Sequence, residues 1–243
     1  MAFSTIALRV ATSRPALHLT SRVFHAGSIC QGPCRGGKLS LTFDDGPHPK
    51  WTPLVLDCLG RLGVRATFFV VGRSASMYPE LVREAQRQGH EIGTHLYWHQ
   101  RPNRRSPRQL CEELRQSRLE LESILGSPIR WLRFPYGKMG ALRATAVREA
   151  LGLQTVHWTF SALDSRARDA EAIVHRVRAG ARAGAIVLMH DCLADEAAGL
   201  ASIYNPDRTA LLQALPSIEQ TLTTRELTPV TLSELMESTY LGS

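Results

Sequence analysis

The chain has 243 residues, 44% hydrophobic and 21% charged, which suits one good core of ordinary globular character. No apolar run approaches the ~20 residues of a membrane span. The net charge of +7 is uneven: Arg9, Arg14, Arg22, Arg35 and Lys38 put +5 into residues 1–38, which hold no acid, and the +2 left over is too little to argue for nucleic acid.

Five cysteines, Cys30, Cys34, Cys58, Cys111 and Cys192, lack the close repeated spacing of a thiolate zinc site and read as reduced thiols of a cytoplasmic protein. Residues 1–37 are rich in Ser, Thr, Arg and Ala. That is the composition of an organellar targeting peptide, and a start codon placed too early would leave a similar leader. The expected division is a disordered leader over 1–37 and one domain over 38–240.

The first element is an apolar strand, Leu39–Phe43, ending in Asp44-Asp45-Gly46-Pro47. At the frayed end, where Gly46 releases the backbone, both carboxylates can turn toward one pocket. They repel unless a cation or a proton sits between them. A helix follows over Pro53–Gly63, then a buried strand over Ala66–Gly72. Next come a helix over Pro79–Gln88, a short strand over His90–Gly93, and an amphipathic helix over Pro107–Leu125 closed by Gly126. The remaining pattern is strand Ile129–Phe134, helix Ala141–Ala150, strand Gln154–Phe160, helix Ala170–Ala179 and strand Ala185–His190. A loop over Asp191–Pro206 precedes a helix over Asp207–Leu222 and a strand over Thr228–Leu232. Strand and helix alternate throughout, the mark of an α/β fold with a parallel sheet closed, or nearly closed, into a β/α barrel. Chemistry in such a barrel gathers at the C-terminal strand ends, and Asp44, Asp45, His95, Arg133, Asp164 and His190 all fall there.

Three further stretches carry chemistry. In His95-Leu96-Tyr97-Trp98-His99 two imidazoles stand four apart, one face of a helical turn. With Asp45 they make a three-ligand set for a catalytic divalent metal; two ordinary histidines are the plainer alternative. Arg133-Phe134-Pro135-Tyr136-Gly137 follows a strand directly. Arg133 can hold a pocket carboxylate, and Pro135 stiffens the turn so that the next N–H aims at an oxyanion; a solvated Arg at a strand end is the alternative. His190 ends a buried strand, placed either as a general acid or as a core histidine bonded to a carbonyl.

The ordered set Thr-Phe-Asp-Asp-Gly-Pro, His-x-x-x-His, Arg-x-Pro-Tyr and Leu-Met-His resembles the polysaccharide deacetylases of carbohydrate esterase family 4, the NodB homology domain, over about residues 39–235. The tail, Asp207-Arg208-Thr209-Ala210-Leu211-Leu212 and the helix after it, looks like the chitooligosaccharide deacetylases of the NodB nodulation group. The resemblance implies a distorted or incomplete (β/α) barrel of the NodB type. It implies one divalent ion, zinc, on Asp45, His95 and His99. Asp44 is then the general base toward a water on the metal, oriented by Arg133, and the Tyr136 N–H is the oxyanion donor. Asp164 tunes His190, and His190 protonates the leaving amine. Pro135 and Leu188 line the substrate pocket, Leu188 against the acetyl methyl. The implied partner is an N-acetylated oligo- or polysaccharide: chitin-like, peptidoglycan or O-acetylated.

Two departures from the family pattern stand out. Leu96 replaces the family's Ser or Thr and removes a hydroxyl that fixes the metal loop. In Ser161-Ala162-Leu163-Asp164-Ser165, Ser161 replaces an acid and Ser165 replaces an aromatic groove wall. Trp98, Trp131 and Trp158 are other aromatic faces, each expected to pack in the core. These departures motivate a rival reading as a catalytically silent carbohydrate binder. A basic-surface protein using Arg101, Arg104, Arg105 and Arg108 is a third.

Overall fold

The computed structural model describes residues 28–137, 150–194 and 205–237. The strands are β1 (Lys38–Asp44), β2 (Thr67–Val70), β3 (Glu91–Thr94), β4 (Trp131–Leu132), β5 (Gln154–Thr155), β6 (Phe160–Ser161), β7 (Ile186–His190) and β8 (Thr228–Pro229). The helices are α1 (Trp51–Arg61), α2 (Gly72–Met77), α3 (Pro79–Arg87), α4 (Pro107–Leu125), α5 (Ala170–Gly180), α6 (Thr209–Thr224) and α7 (Leu232–Glu237). Residues 141–149 of the expected helix over 141–150 and the middle of the expected loop over 191–206 lie outside the described residues.

Every strand pairing is parallel, in the order β5-β4-β3-β2-β1-β7-β6, with β8 beside the start of β1. The sheet curls into an open barrel, as the alternation of elements led one to expect. Strand side chains alternate across it. Leu39, Leu41 and Phe43 face outward and pack with the apolar sides of the helices, among them Val55 and Leu59 of α1 and Leu211 and Leu215 of α6. The inward positions hold a smaller cluster of Phe69, Trp131, Val156, Ile186, Val230, Leu232 and Leu235. Gly93 makes room within it, since a Cβ there would lie 2.9 Å from the Phe69 ring and from the Trp131 carbonyl.

Three expectations need correction. The single strand over Gln154–Phe160 is two short strands. β5 pairs with β4 on one edge of the sheet and β6 pairs with β7 on the other, so this stretch crosses the gap in the barrel. The strand over Thr228–Leu232 stops at Pro229, and α7 follows. The α7 amides of Leu232 and Ser233 donate to the inward-facing Thr67 Oγ1 and Glu91 Oε2 at 2.9 Å each, so the helix plugs the bottom of the barrel.

The third correction concerns residues 28–37, which belong to the fold rather than to the leader. The Ile29 amide donates to the Thr155 carbonyl at 2.9 Å and the His157 amide donates to the Ile29 carbonyl at 2.7 Å. The Gly32 amide donates to the Gly184 carbonyl at 2.8 Å. The segment therefore straps the open side, binding both edges, and satisfies backbone groups that an unclosed sheet leaves bare. Residues 1–27 lie outside the described residues.

Candidate active site

Register brings the first pair together. Asp44 of β1 stands opposite His190 of β7 and Phe69 of β2. Ser40, Thr42 and Asp44 are the inward positions of β1, so Asp44 enters the mouth of the barrel as a continuation of the strand. Asp45 by the same alternation would point out. Its φ of +80° reverses the chain and swings its carboxylate into the same pocket; Asp tolerates this left-handed conformation better than most residues. The reversal thus occurs at Asp45, not at Gly46. Gly46 is required for space, because a Cβ there would collide with the Asp191 carboxylate. Asp191 accepts the Gly46 amide at 3.2 Å and the Thr52 hydroxyl of α1 at 2.5 Å, pinning the turn. Burial pushes Asp191 up to about 7; the Thr52 hydrogen bond opposes this and the Asp45 charge adds to it.

His95 leaves β3 one residue past Thr94, and His99 returns to the pocket through a turn with φ of +68° at Leu96 and +53° at His99. Both are left-handed conformations that side chains of this size adopt only under constraint. Leu96 is fully buried in the outer core, and its carbonyl accepts the Gly72 amide at 2.9 Å. The Tyr97 carbonyl accepts the Arg73 amide at 3.0 Å. The turn is fixed by the backbone of α2 and by burial of Leu96.

The ligand atoms of Asp45, His95 and His99 all lie within 4.8 Å of one another. His95 Nε2 is 3.4 Å and His99 Nε2 3.1 Å from Asp45 Oδ1. His95 Nδ1 lies 2.8 Å from the Arg133 carbonyl. A carbonyl only accepts, so Nδ1 carries the proton and a neutral ring turns a bare Nε2 lone pair toward the Asp45 oxygen. Two acceptors facing each other in a buried site call for a positive charge between them. The donor set, two imidazole nitrogens and one carboxylate, fits a divalent cation. In the metal-free pocket burial raises the Asp45 carboxyl, and the positive charge of protonated neighbours, His99 first, outweighs it and holds the group well below the usual carboxylate range.

Arg133 follows β4 and turns inward, about 1% exposed. Its Nη1 donates to Asp44 Oδ1 at 2.8 Å and to Thr42 Oγ1 at 2.7 Å, its Nη2 to the His157 carbonyl at 2.9 Å, and its guanidinium lies 4.1 Å over the Phe69 ring. Asp44 Oδ2 is left facing His95 Nε2 at 3.8 Å. Pro135 is buried at the start of a 3₁₀ turn, Pro135–Gly137, and Tyr136 adopts φ +61°. The Tyr136 ring lies between His99, 5.0 Å away and tilted at 48°, and the Arg101 guanidinium, 4.4 Å away.

Across the mouth, Asp164 follows β6. Its Oδ1 accepts from His190 Nδ1 at 3.1 Å, and its Oδ2 from the His190 amide at 3.0 Å and from Arg208 Nη1 at 3.2 Å. Burial alone would lower His190; the Asp164 charge and hydrogen bond, with Asp45 and Asp44 beyond, push it up to about 9. Nδ1–H is thereby committed to Asp164. Ser161 Oγ accepts the Leu163 amide at 3.0 Å, shaping the turn that delivers Asp164. Leu188, one inward step before His190, is buried below it.

The structure thus brings together all the residues singled out for the site. Several others were missed. Arg208 is fully buried against Asp164, yet in sequence it is one more arginine at a helix start. Thr42, Asp191 and Thr52 act as partners, which single-residue patterns do not reveal. The aromatic expectations divide. Trp131 packs in the core and Trp158 is half-buried, but Trp98 is 45% exposed. Of the rim arginines, Arg101 stacks on Tyr136, Arg105 faces Glu113 at 3.8 Å and Arg108 pairs with Glu112 at 2.9 Å.

An open parallel β/α barrel with Asp45, His95 and His99 clustered at its C-terminal rim, beside the buried Asp164–His190 pair, defines the class of this protein. The chain belongs to the polysaccharide deacetylase family, whose sequence model matches residues 31–156. It is 38% identical over 180 residues to a chitooligosaccharide deacetylase of Sinorhizobium fredii, a match covering 72% of this chain and 82% of the relative. It is 36% identical over 163 residues to a peptidoglycan-N-acetylglucosamine deacetylase of Listeria monocytogenes, covering 67% of this chain and 34% of that protein, so it spans about a third of that relative's length. Among solved structures, the Bc1960 peptidoglycan N-acetylglucosamine deacetylase superposes with a TM-score of 0.79 at 26% identity, covering 90% of this chain and 96% of the other.

Proposed function

We propose that this protein is a metal-dependent hydrolase that removes N-acetyl groups from N-acetylglucosamine residues of a chitin-like oligosaccharide. The observation that carries the reading is the convergence of Asp45, His95 and His99 within 4.8 Å of one another, beside Asp44. The rhizobial relatives named as chitooligosaccharide deacetylases, at 37–38% identity, support the substrate class. Zinc suits the nitrogen-rich donor set best among common ions. Among the described residues no helix is long and apolar enough to cross a membrane. The scattered spacing of Cys30, Cys34, Cys58, Cys111 and Cys192 supports reduced thiols and a reducing compartment, the cytoplasm.

An amide is a poor electrophile with a poor leaving group, so its hydrolysis needs an activated water, a polarised carbonyl and a proton donor together. Asp45, His95 and His99 would hold the cation, which when bound polarises the acetyl carbonyl and acidifies water. Asp44 takes the proton of the attacking water on Oδ2, because Arg133 occupies Oδ1. The Tyr136 N–H, set by its left-handed backbone, donates to the oxygen that gains charge. His190, its Nδ1–H held by Asp164, delivers the Nε2 proton to the departing nitrogen. The C–N bond breaks and acetate and a free amine leave. Arg208 holds Asp164 in place, and Leu188 meets the acetyl methyl.

A second substrate is favoured by one observation: relatives and a structural neighbour named for peptidoglycan match as well. The test is acetate release from N-acetylglucosamine oligomers and from peptidoglycan fragments, with metal and with chelator. Release abolished by chelator and by Asp44→Asn supports the reading, and the better substrate settles the glycan. Saturable binding without release at any metal concentration replaces it with a silent carbohydrate binder.

A further inference from the structure

We propose that the Trp98 indole is the wall against which the sugar ring adjoining the reacting unit stacks, the place for which Ser165 offers no ring. The inference rests on the deacetylase reading above, whose ligands are pyranose oligomers.

Trp98 is 45% exposed and is the one aromatic among the exposed large apolar residues described. It immediately precedes His99, so its Cα lies about 3.8 Å from that of a triad member. It is held rigidly. Its amide donates at 2.9 Å to Glu113 Oε1, a carboxylate only 6% exposed on α4. The turn that carries it has left-handed backbone at Leu96 and His99 and is tied to α2 through the Gly72 and Arg73 amides. Tyr97 braces the indole edge-on, with centroids 4.9 Å apart at 73°, and the Arg73 guanidinium lies 5.5 Å from its centre.

Structure of this kind is not needed to leave a tryptophan in water. A large apolar ring braced one residue from a triad histidine is instead a preorganised contact surface with little rotamer entropy left to lose. A pyranose has an apolar C–H face that covers such a ring, removing water from both. Arg73 on the same wall adds donors in a planar fork for hydroxyl oxygens. Trp158 is half-buried, with Gly137 and the Arg133 guanidinium against its ring, and the other two positions offer no open face. Trp131 is fully buried with its N–H on Glu91 at 2.7 Å, and Ser165 is itself 8% exposed. The proposed wall follows β3, whereas Ser165 follows β6.

The test compares wild type, Trp98→Ala and Trp98→Phe on N-acetylglucosamine dimer to pentamer. It combines steady-state kinetics, calorimetric titration of the tetramer and elemental analysis of bound metal. Trp98→Ala is expected to raise KM and the tetramer dissociation constant about tenfold. kcat and metal content are expected to hold, and Trp98→Phe to restore most of the loss. Tetramer binding and KM unchanged in Trp98→Ala overturn the inference and leave the deacetylase reading intact. A wild type that binds the tetramer but releases no acetate fails that reading instead, and the calorimetric comparison still decides Trp98. A KM loss that tracks lost metal also overturns it, assigning Trp98 to support of His99.

Discussion

The Arg133 guanidinium lies 2.8 Å from the Asp44 carboxylate, and both side chains are almost wholly out of solvent. The pair is costly to bury and dangerous to break. Removing one member leaves an uncompensated charge in a low-dielectric pocket. Arg133→Met is therefore expected to lose about 3–5 kcal/mol in denaturant unfolding. Arg133→Lys keeps the charge but cannot bridge Thr42, Asp44 and the His157 carbonyl at once. Its expected signature is a kcat about 100-fold down, since a misplaced base costs that much even when the fold survives. A lysine variant with full kcat would remove Arg133 from the positioning of Asp44.

His190 sets a pH dependence whose sign can be worked out. Its pKa in the folded chain, pushed up to about 9, lies above the ordinary 6.5. The stability it contributes is fully present below pH 6.5 and is lost as pH rises through about 9. In metal-free protein the imidazole resonance is expected to titrate near 9, and in Asp164→Asn well below that. A bound dication faces the same pocket and lowers the midpoint. The basic limb of the activity profile is expected to move to lower pH in Asp164→Asn. A histidine midpoint unchanged by that substitution would separate Asp164 from the acid.

Gly46 supports the triad by having no side chain. Gly46→Ala drives a methyl into the Asp191 carboxylate, which holds the Gly46 amide and the Thr52 hydroxyl. Overpacking of this kind costs about 1–3 kcal/mol. The strain falls next to Asp45, so metal affinity is expected to fall together with melting temperature. Calorimetric metal titration and a thermal scan on the same sample check it. Normal affinity with a lowered melting temperature would show that the Asp45 turn holds without Asp191.

Much of this architecture was legible beforehand, for physical reasons. Buried strands alternating with amphipathic helices leave few arrangements besides a parallel barrel, and a parallel barrel gathers strand ends at one rim. That is why Asp44, His95, Arg133 and His190 could be placed in one pocket from their positions in the chain. The reversal at Asp45 was misassigned to Gly46, because a positive φ on Asp leaves no mark that glycine would not also leave. The stretch 154–161 was read as one strand, since a crossing between two sheet edges has the same apolar character as a strand. Residues 28–37 passed for leader because their contribution is made through backbone amides, as at Ile29 and Gly32. Arg208 drew no notice as a site residue and Trp98 was expected in the core for a shared reason. Burial of an arginine and exposure of a tryptophan are decided by tertiary neighbours, Asp164 in one case and Glu113 with Arg73 in the other.

The most direct test of the account is elemental analysis of the purified chain alongside acetate release, for wild type and for His99→Ala. The account predicts one divalent ion per wild-type chain, acetate release from N-acetylglucosamine oligomers, and loss of both in His99→Ala. Undiminished acetate release from a chain freed of metal, or by His99→Ala, would contradict it.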